Sequence, residues 1–360
     1  MKSGEVTELG QHTLREILSQ PECWSTCIAK LAASTEFQEC VQMARPAAEW
    51  IFVGCGTSYY LAQAAASSFN HLNLAARAVP ASDLLLYPEL TLHAGRDYIP
   101  VVISRSGRTS EAIRAAQMLE KNCNLRTIAI TCAANQPLEA SCSLTLKLFD
   151  ADEQSTVMTR SFTSMLLGLQ YLAATISGND GFRRALVELP GEMRPVLETI
   201  AQSARQFANS RSFSDFVFLA QGPLFGIASE CMLKVTESSC SYAQVFHSLE
   251  FRHGPKSIAG PETLITFLMS ETSYDAEVEL LEEMKALGAG IVVVANNVDK
   301  RARRSSDLAI ELGLRTPEYA RLAAYVTWGQ LYGVYYGIKK GLNPDSPKNL
   351  TRVVELAESH

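Results

Sequence analysis

The sequence predicts an α/β protein made of two doubly wound parallel-sheet units in tandem, with helical segments before, between and after them. Three observations carry this reading. The 360 residues, 47% hydrophobic and 19% charged, are enough for two domains with a sizeable core and exclude disorder for most of the chain. Short apolar runs alternate with helical patterns, as strands covered on both faces require. The plan also repeats. EWIFVGCGTSYYLAQA from Glu49 returns as DFVFLAQGPLFGIASE from Asp215, and PVVISRSGRTSEAI from Pro100 returns as TFLMSETSYDAEVE from Thr266. The offset is 166 in both cases, pairing Gly56 with Gly222, Ser104 with Ser270 and Glu111 with Glu277. A two-residue shift then aligns the strand Thr127 to Cys132 with Val292 to Asn296, and Leu144 to Phe149 with Leu308 to Leu312.

Taken in order, residues 1–48 form a helical N-terminal segment, centred on a helix from Leu14 to Ala33. Residues 49–177 form the first unit, which reads strand, Gly-rich turn, helix, strand, turn, helix, strand, short loop, strand, and closes with a helix from Thr163 to Ser177. A helical linker covers 178–210, with a helix from Phe182 to Ala208. The second unit, 211–340, repeats the plan and ends in a helix from Glu318 to Lys340; the tail, 341–360, is read as closing over the site. Within that last helix, Leu322 to Ile338 is 17 uncharged residues, but Thr327, Gln330 and three glycines mark it as a core or subunit-contact helix rather than a membrane span.

The N-terminal stretch MKSGEVTELGQHTLREIL has no apolar signal core, so export is not expected. Nine scattered cysteines, an odd number with no CxxC, fit a reducing cytoplasm and argue against a disulfide framework or a zinc site. The net charge of −6, with no Lys/Arg block, gives no footprint for nucleic acid.

In sheets of this kind ligands sit beyond the carboxyl ends of the strands, where loops meet helix N-termini. Two such loops in the first unit are rich in small hydroxyl residues, Gly54-Cys-Gly-Thr-Ser58 and Ser104-Arg-Ser-Gly-Arg-Thr-Ser110. Unpaired N–H groups and the positive end of a helix favour an anion there. Ser104, Ser106 and Thr109 add hydroxyl donors, and Gly107 lets the backbone approach closely. Helix capping would account for either loop alone, whereas two in one sheet argue for a ligand. The absence of both a P-loop pattern and GxGxxG disfavours a nucleotide, and a phosphate monoester fits better. The matching second-unit loop, Ser270 to Asp275, carries Glu271 and Asp275, which repel an anion, so binding is expected in the first unit only.

The second unit offers acid–base groups. Glu230, Lys234 and Glu237 recur at i, i+4 and i+7 on one helical face and can converge on one site. Further on, Phe251-Arg-His-Gly-Pro-Lys-Ser257 sets His253 and Arg252 beside a Gly-Pro turn. A carboxylate and an imidazole that take and return protons are what an aldose–ketose isomerisation needs. The plainer alternatives are a salt-bridged helix face and a hydrogen-bonded turn histidine; His247 is read as structural.

These features resemble the SIS (sugar isomerase) family, which includes the isomerase half of glucosamine-6-phosphate synthase and AgaS-type amino-sugar phosphate deaminases and isomerases. The resemblance runs through Thr13-Leu-Arg-Glu-Ile-Leu-Ser-Gln-Pro21, CGTS at Cys55 to Ser58, the SxSGxT loop, Thr156-Val-Met-Thr-Arg-Ser-Phe-Thr163, the ExxxKxxE helix and the FRHGPKS turn. It implies a sugar-phosphate site built from Cys55, Gly56, Thr57, Ser58, Ser104, Arg105, Ser106 and Thr109, with Val157 and Thr159 from the TVMTRS segment and Thr351 and Arg352 from the tail. Glu237 matches the glutamate that shuttles the C1/C2 proton, His253 the ring-opening histidine and Lys234 a lysine near the enediolate; Glu230 and Arg252 are supporting residues. The histidine typically comes from a neighbouring subunit, which implies a homodimer or homotetramer with shared sites, and no metal or cofactor is expected.

Two departures shape the expected reaction. The chain begins directly with the isomerase-like half, so glutamine-derived ammonia is not expected. The tail reads Pro347-Lys-Asn-Leu-Thr-Arg352, with Arg352 where the synthase has an imine-forming lysine; a guanidinium is a poor imine former, and Lys348 is a weak substitute. The expected function is conversion of an amino-sugar 6-phosphate to a ketose 6-phosphate plus ammonia through an enediol or enolamine. The alternatives are a ketose/aldose phosphate isomerase, a fructosamine-6-phosphate deglycase and a non-catalytic sugar-phosphate sensor.

Overall fold

Ten strands form two five-stranded sheets in the computed structural model, which describes residues 9–356. The first eight residues, part of the stretch read for a signal peptide and of the 1–48 segment, and the last four of the 341–360 tail lie outside the described residues. The strands are β1 (Glu49–Gly54), β2 (Ala76–Pro80), β3 (Tyr98–Ile103), β4 (Ile128–Thr131), β5 (Leu144–Lys147), β6 (Asp215–Ala220), β7 (Tyr242–His247), β8 (Thr263–Leu268), β9 (Gly290–Ala295) and β10 (Leu308–Glu311). Their order is β2-β1-β3-β4-β5 in one sheet and β10-β9-β8-β6-β7 in the other. All pairings are parallel, so the two sheets have one topology, as the repeat predicts.

Each sheet has one strand more than the sequence pattern gave. Both extra strands lie at an edge and lack a continuous buried run: β2 is half-buried, with Arg77 paired to Glu49 on β1, and Tyr242 on β7 is exposed. The expected helix from Leu14 to Ala33 is two helices, Gln11–Leu18 and Gln20–Ala32, broken at Ser19. Pro21 near the start of the second has no N–H to offer the first. The linker helix, Asp180–Ser210, is longer than its apolar pattern and carries Pro190 and Pro195 within it. The expected helix from Glu318 starts at Leu322, after a short 3₁₀ turn over Glu318–Ala320.

The largest core cluster crosses both units, joining Trp50 and Phe52 of β1 to Phe216 and Phe218 of β6 and to Tyr325, Trp328 and Tyr332 of the last helix. That helix, Leu322–Lys339, is buried along most of its length and packs on the helix Phe225–Ser239 that carries the acid–base groups. Its glycines make the contact possible: a Cβ at Gly333 would lie 2.8 Å from the Lys234 carbonyl oxygen. Among the described residues no helix is long and apolar enough to cross a membrane. Helix Phe225–Ser239 also meets Thr57–His71 of the first unit, where a Cβ at Gly226 would lie 2.8 Å from the Tyr60 carbonyl. These contacts bring second-unit side chains to the carboxyl end of the first sheet.

Candidate active site

A cavity of about 200 Å³ lies at that junction. Cys55 to Ser58 line it from the turn after β1, Arg105, Ser106 and Thr109 from the loop after β3, Glu237 from the second unit, Thr156 and Met158 from the segment before helix Arg160–Ile176, and Thr351 to Val354 from the tail. It sits between β1 and β3, where the strand order reverses and open α/β sheets form their ligand crevice. Gly56, with φ 52°, turns the chain into helix Thr57–His71, whose first residues, Thr57 and Ser58, are largely buried at the cavity wall. Burial pushes the Cys55 thiol up to about 12, so it stays neutral beside the loop.

The loop after β3 divides its work. Ser104 is buried and does not line the cavity: its hydroxyl meets Thr109 Oγ1 at 3.2 Å and accepts from the Gly107 N–H at 3.2 Å, which holds the loop's turn. Ser106 and Thr109 face the cavity. Arg105 reaches the cavity wall, but its donors are committed. They go to Glu153 Oε2 at 3.3 Å and to the carbonyls of Ser155, Thr156 and Arg352 at 3.4, 2.9 and 3.1 Å. Its guanidinium therefore ties the loop, the 153–156 segment and the tail together.

Glu153, which sequence reasoning passed over, is the hub of that segment. It is buried and accepts from Arg105, from the Thr159 N–H and from Ser161. This corrects Val157 and Thr159 as cavity residues, since both are buried away from it and Thr159 is bound to Glu153, while Thr156 and Met158 line the wall. The segment is irregular, so its sequence gives no period that says which residues face the cavity. Glu16 and Gln20 of the N-terminal motif explain its presence: Glu16 accepts from the Gln154 and Ser155 N–H groups, and Gln20 bonds Thr163 and Gln330.

The tail is fastened at several points. Asp345 accepts from the Thr13 N–H and hydroxyl at 2.8 and 2.7 Å. Arg352 pairs with Asp152 at 2.5 Å, Arg108 pairs with Glu355 at 2.6 Å, and the Ser110 N–H donates to the Val354 carbonyl at 3.3 Å. Thr351 and Arg352 line the cavity; Lys348 is exposed, and no lysine is among the lining residues.

Glu230, Lys234 and Glu237 converge as their spacing requires. Lys234 Nζ lies 2.5 Å from Glu237 Oε2, 3.2 Å from Glu230 Oε1 and 3.2 Å from Thr57 Oγ1. Burial works against the ammonium, but its two glutamate neighbours outweigh it and raise its pKa. Of the three, Glu237 is the one at the cavity wall. His253 stands on an exposed turn and does not line this chain's cavity. Arg252, beside it, bonds Glu283 of helix Tyr274–Ala286 at 2.8 Å and does not line this chain's cavity.

A larger cavity, about 420 Å³, opens at the carboxyl ends of β8 and β9. It is edged by Glu271, Asp275 and Asp299, which oppose a phosphate, and no histidine or lysine lines it. The smaller cavity is therefore the candidate site.

Residues 45–175 match the family model of the SIS domain. The isomerizing glutamine–fructose-6-phosphate aminotransferase of Pyrobaculum aerophilum is 27% identical over 354 residues, 95% of this chain; the chain spans 57% of that protein's length. The D-galactosamine-6-phosphate deaminase AgaS of a Shewanella species is 27% identical over 365 residues, 96% of this chain and 90% of that protein. Among solved structures, the glucosamine-6-phosphate deaminase of Thermotoga maritima superposes with a TM-score of 0.78 at 27% identity, covering 96% of this chain and 100% of that one. The tagatose-6-phosphate ketose/aldose isomerase of Escherichia coli shares the fold, with a TM-score of 0.82 at 20% identity over 96% of this chain and 97% of that one.

Proposed function

Starting from a chain that carries a SIS domain at residues 45–175, we propose that it is a sugar-phosphate enzyme converting an amino-sugar 6-phosphate to a ketose 6-phosphate and ammonia. The observation that carries this reading is Glu237, a carboxylate ion-paired to buried Lys234 at the wall of a cavity otherwise lined by hydroxyl loops. The phosphate is held at the start of helix Thr57–His71 by the hydroxyls of Ser58, Ser106 and Thr109. Glu237 takes the C2 proton of the open-chain amino aldose and returns it to C1, giving a ketimine with a C1 hydroxymethyl group. Water then adds to the ketimine carbon, and the C2–N bond breaks to release ammonia. Lys234, ion-paired to Glu237 from behind the cavity wall, holds that carboxylate in place.

His253 opens the sugar ring from a neighbouring copy, so the working unit is a homodimer or larger. Arg352, paired with Asp152, forms no imine and closes the tail over the substrate. Ammonia release from glucosamine 6-phosphate, galactosamine 6-phosphate and a fructosamine 6-phosphate, measured in parallel, tests the reading. Release from one of the two amino aldoses is expected. Release of an amine from the fructosamine alone, or silence from all three with binding intact, contradicts it.

A further inference from the structure

Beside the proposed base lies a second carboxyl with no place in the cavity wall. Glu230 is fully buried, and its Oε1 sits 3.2 Å from Lys234 Nζ and accepts the Thr57 hydroxyl at 3.4 Å. Its Oε2 is buried and has no hydrogen-bond partner. The ammonium is drawn to Glu237, at 2.5 Å, more closely than to Glu230. The titratable groups facing Glu230 are Lys234, Glu237 and Cys231 on its own helix and Tyr60 on helix Thr57–His71. The helix Leu322–Lys339, packed on the other side, brings Gly329 and Gly333 to this face.

Two carboxylates and one ammonium in a buried cluster leave an uncompensated negative charge if both acids ionise. The buried, unpartnered Oε2 costs more as part of a charged carboxylate than as part of a neutral carboxyl. Glu237 reaches the cavity, and so solvent and substrate, while Glu230 does not.

We infer that Glu230 stays protonated in the working protein and acts through Lys234 as a positioning residue, leaving Glu237 to move the substrate proton. The inference rests on the proposed reaction. Burial, only partly offset by Lys234, pushes Glu230 up to about 8, in keeping with the geometry. Ionising Glu230 draws the ammonium off Glu237 and adds a negative charge beside the forming enolate, so turnover falls on the alkaline side.

Two measurements on the full chain test this. Infrared difference spectra of the unliganded protein across pH are expected to show a protonated-carboxyl band that decays near pH 8 in the wild type and is missing in Glu230→Gln. The band from Glu277, which burial pushes up to about 7, remains in both proteins. Identical titrations in the two overturn the proposal. If Glu230→Gln does not fold, the chemical shifts of ¹³C-labelled glutamate carboxyls in the wild type read the same titration, and a set with no carboxyl titrating near 8 overturns it. The second measurement is the pH profile of deuterium exchange at C2 of the amino-sugar phosphate. Its alkaline limb is expected to move up by about one pH unit or more in Glu230→Gln, in kcat rather than KM; an unmoved limb overturns the proposal. A protein that turns over none of the sugars fails the functional reading, while the spectra still decide the state of Glu230.

Discussion

The two loops that follow the central strand of each sheet occupy the same place in the repeat and have gone opposite ways. After β3, Ser106 and Thr109 face an open cavity. After β8, the loop's donors are spent internally: Glu277 accepts from the Ser270 N–H at 3.2 Å, the Ser273 hydroxyl at 2.9 Å and the Ser248 hydroxyl at 2.5 Å. A carboxylate built into the chain takes the donors that an external anion needs. Its repeat partner, Glu111, is half-exposed and makes no such bonds among the described residues. One glutamate turned inward separates a loop whose hydroxyls face a cavity from one whose donors are spent internally; on the proposed function the first holds the phosphate and the second unit supplies the acid–base groups.

The comparison breaks most visibly at the junction of the units. Replacing Glu237 by Gln is expected to lower ammonia release by about 10²–10⁴-fold while substrate binding, read by calorimetry, persists. Next in size, Ser106→Ala with Thr109→Val removes donors to a charged phosphate, each worth about 1.5–3 kcal/mol, and KM rises by at least about tenfold. Thr272→Ala at the second-unit repeat position of Ser106 leaves KM within about twofold, because its loop holds no phosphate.

Glu277→Ala is expected to act on stability instead. It strands the Ser248, Ser270 and Ser273 donors at about 1–3 kcal/mol for each group left unsatisfied, which a melting curve will show. Glu277 keeps its proton up to about pH 7 in the folded chain and only to about 4.5 when unfolded. Over that interval the folded state binds more protons, so rising pH erodes stability, and Glu277→Gln should flatten the fall in melting temperature between those values. The smallest effect belongs to the tail: Glu355→Gln removes an exposed pair with Arg108 worth about 0–1 kcal/mol, so KM should rise by no more than severalfold and lose some of its salt dependence.

Much of this division was legible in the sequence. The repeat, gapless until its last two strands, exposed the two sheets, and Glu271 and Asp275 gave the expectation that the second loop repels anions. The i, i+4, i+7 spacing of Glu230, Lys234 and Glu237 survives as a set of ion pairs, because helical geometry alone fixes it. What was hidden lies outside regular elements or in long-range pairing. The edge strands β2 and β7 have no apolar alternation to betray them. In the irregular segment 152–161 no period says which residues point inward, so Thr156 and Met158 were displaced by their neighbours. Glu153 and Glu277 read as ordinary acids until the fold surrounds them with donors, and Arg252 drew notice only by standing next to His253.

Calorimetric titration with glucosamine 6-phosphate and galactosamine 6-phosphate, using the wild type, Ser106→Ala/Thr109→Val and Thr272→Ala, tests the division most directly. One sugar phosphate bound per chain, weakened by the first-unit pair and indifferent to Thr272→Ala, is the predicted result. Two molecules per chain, or binding that survives the first-unit pair and fails in Thr272→Ala, would contradict it.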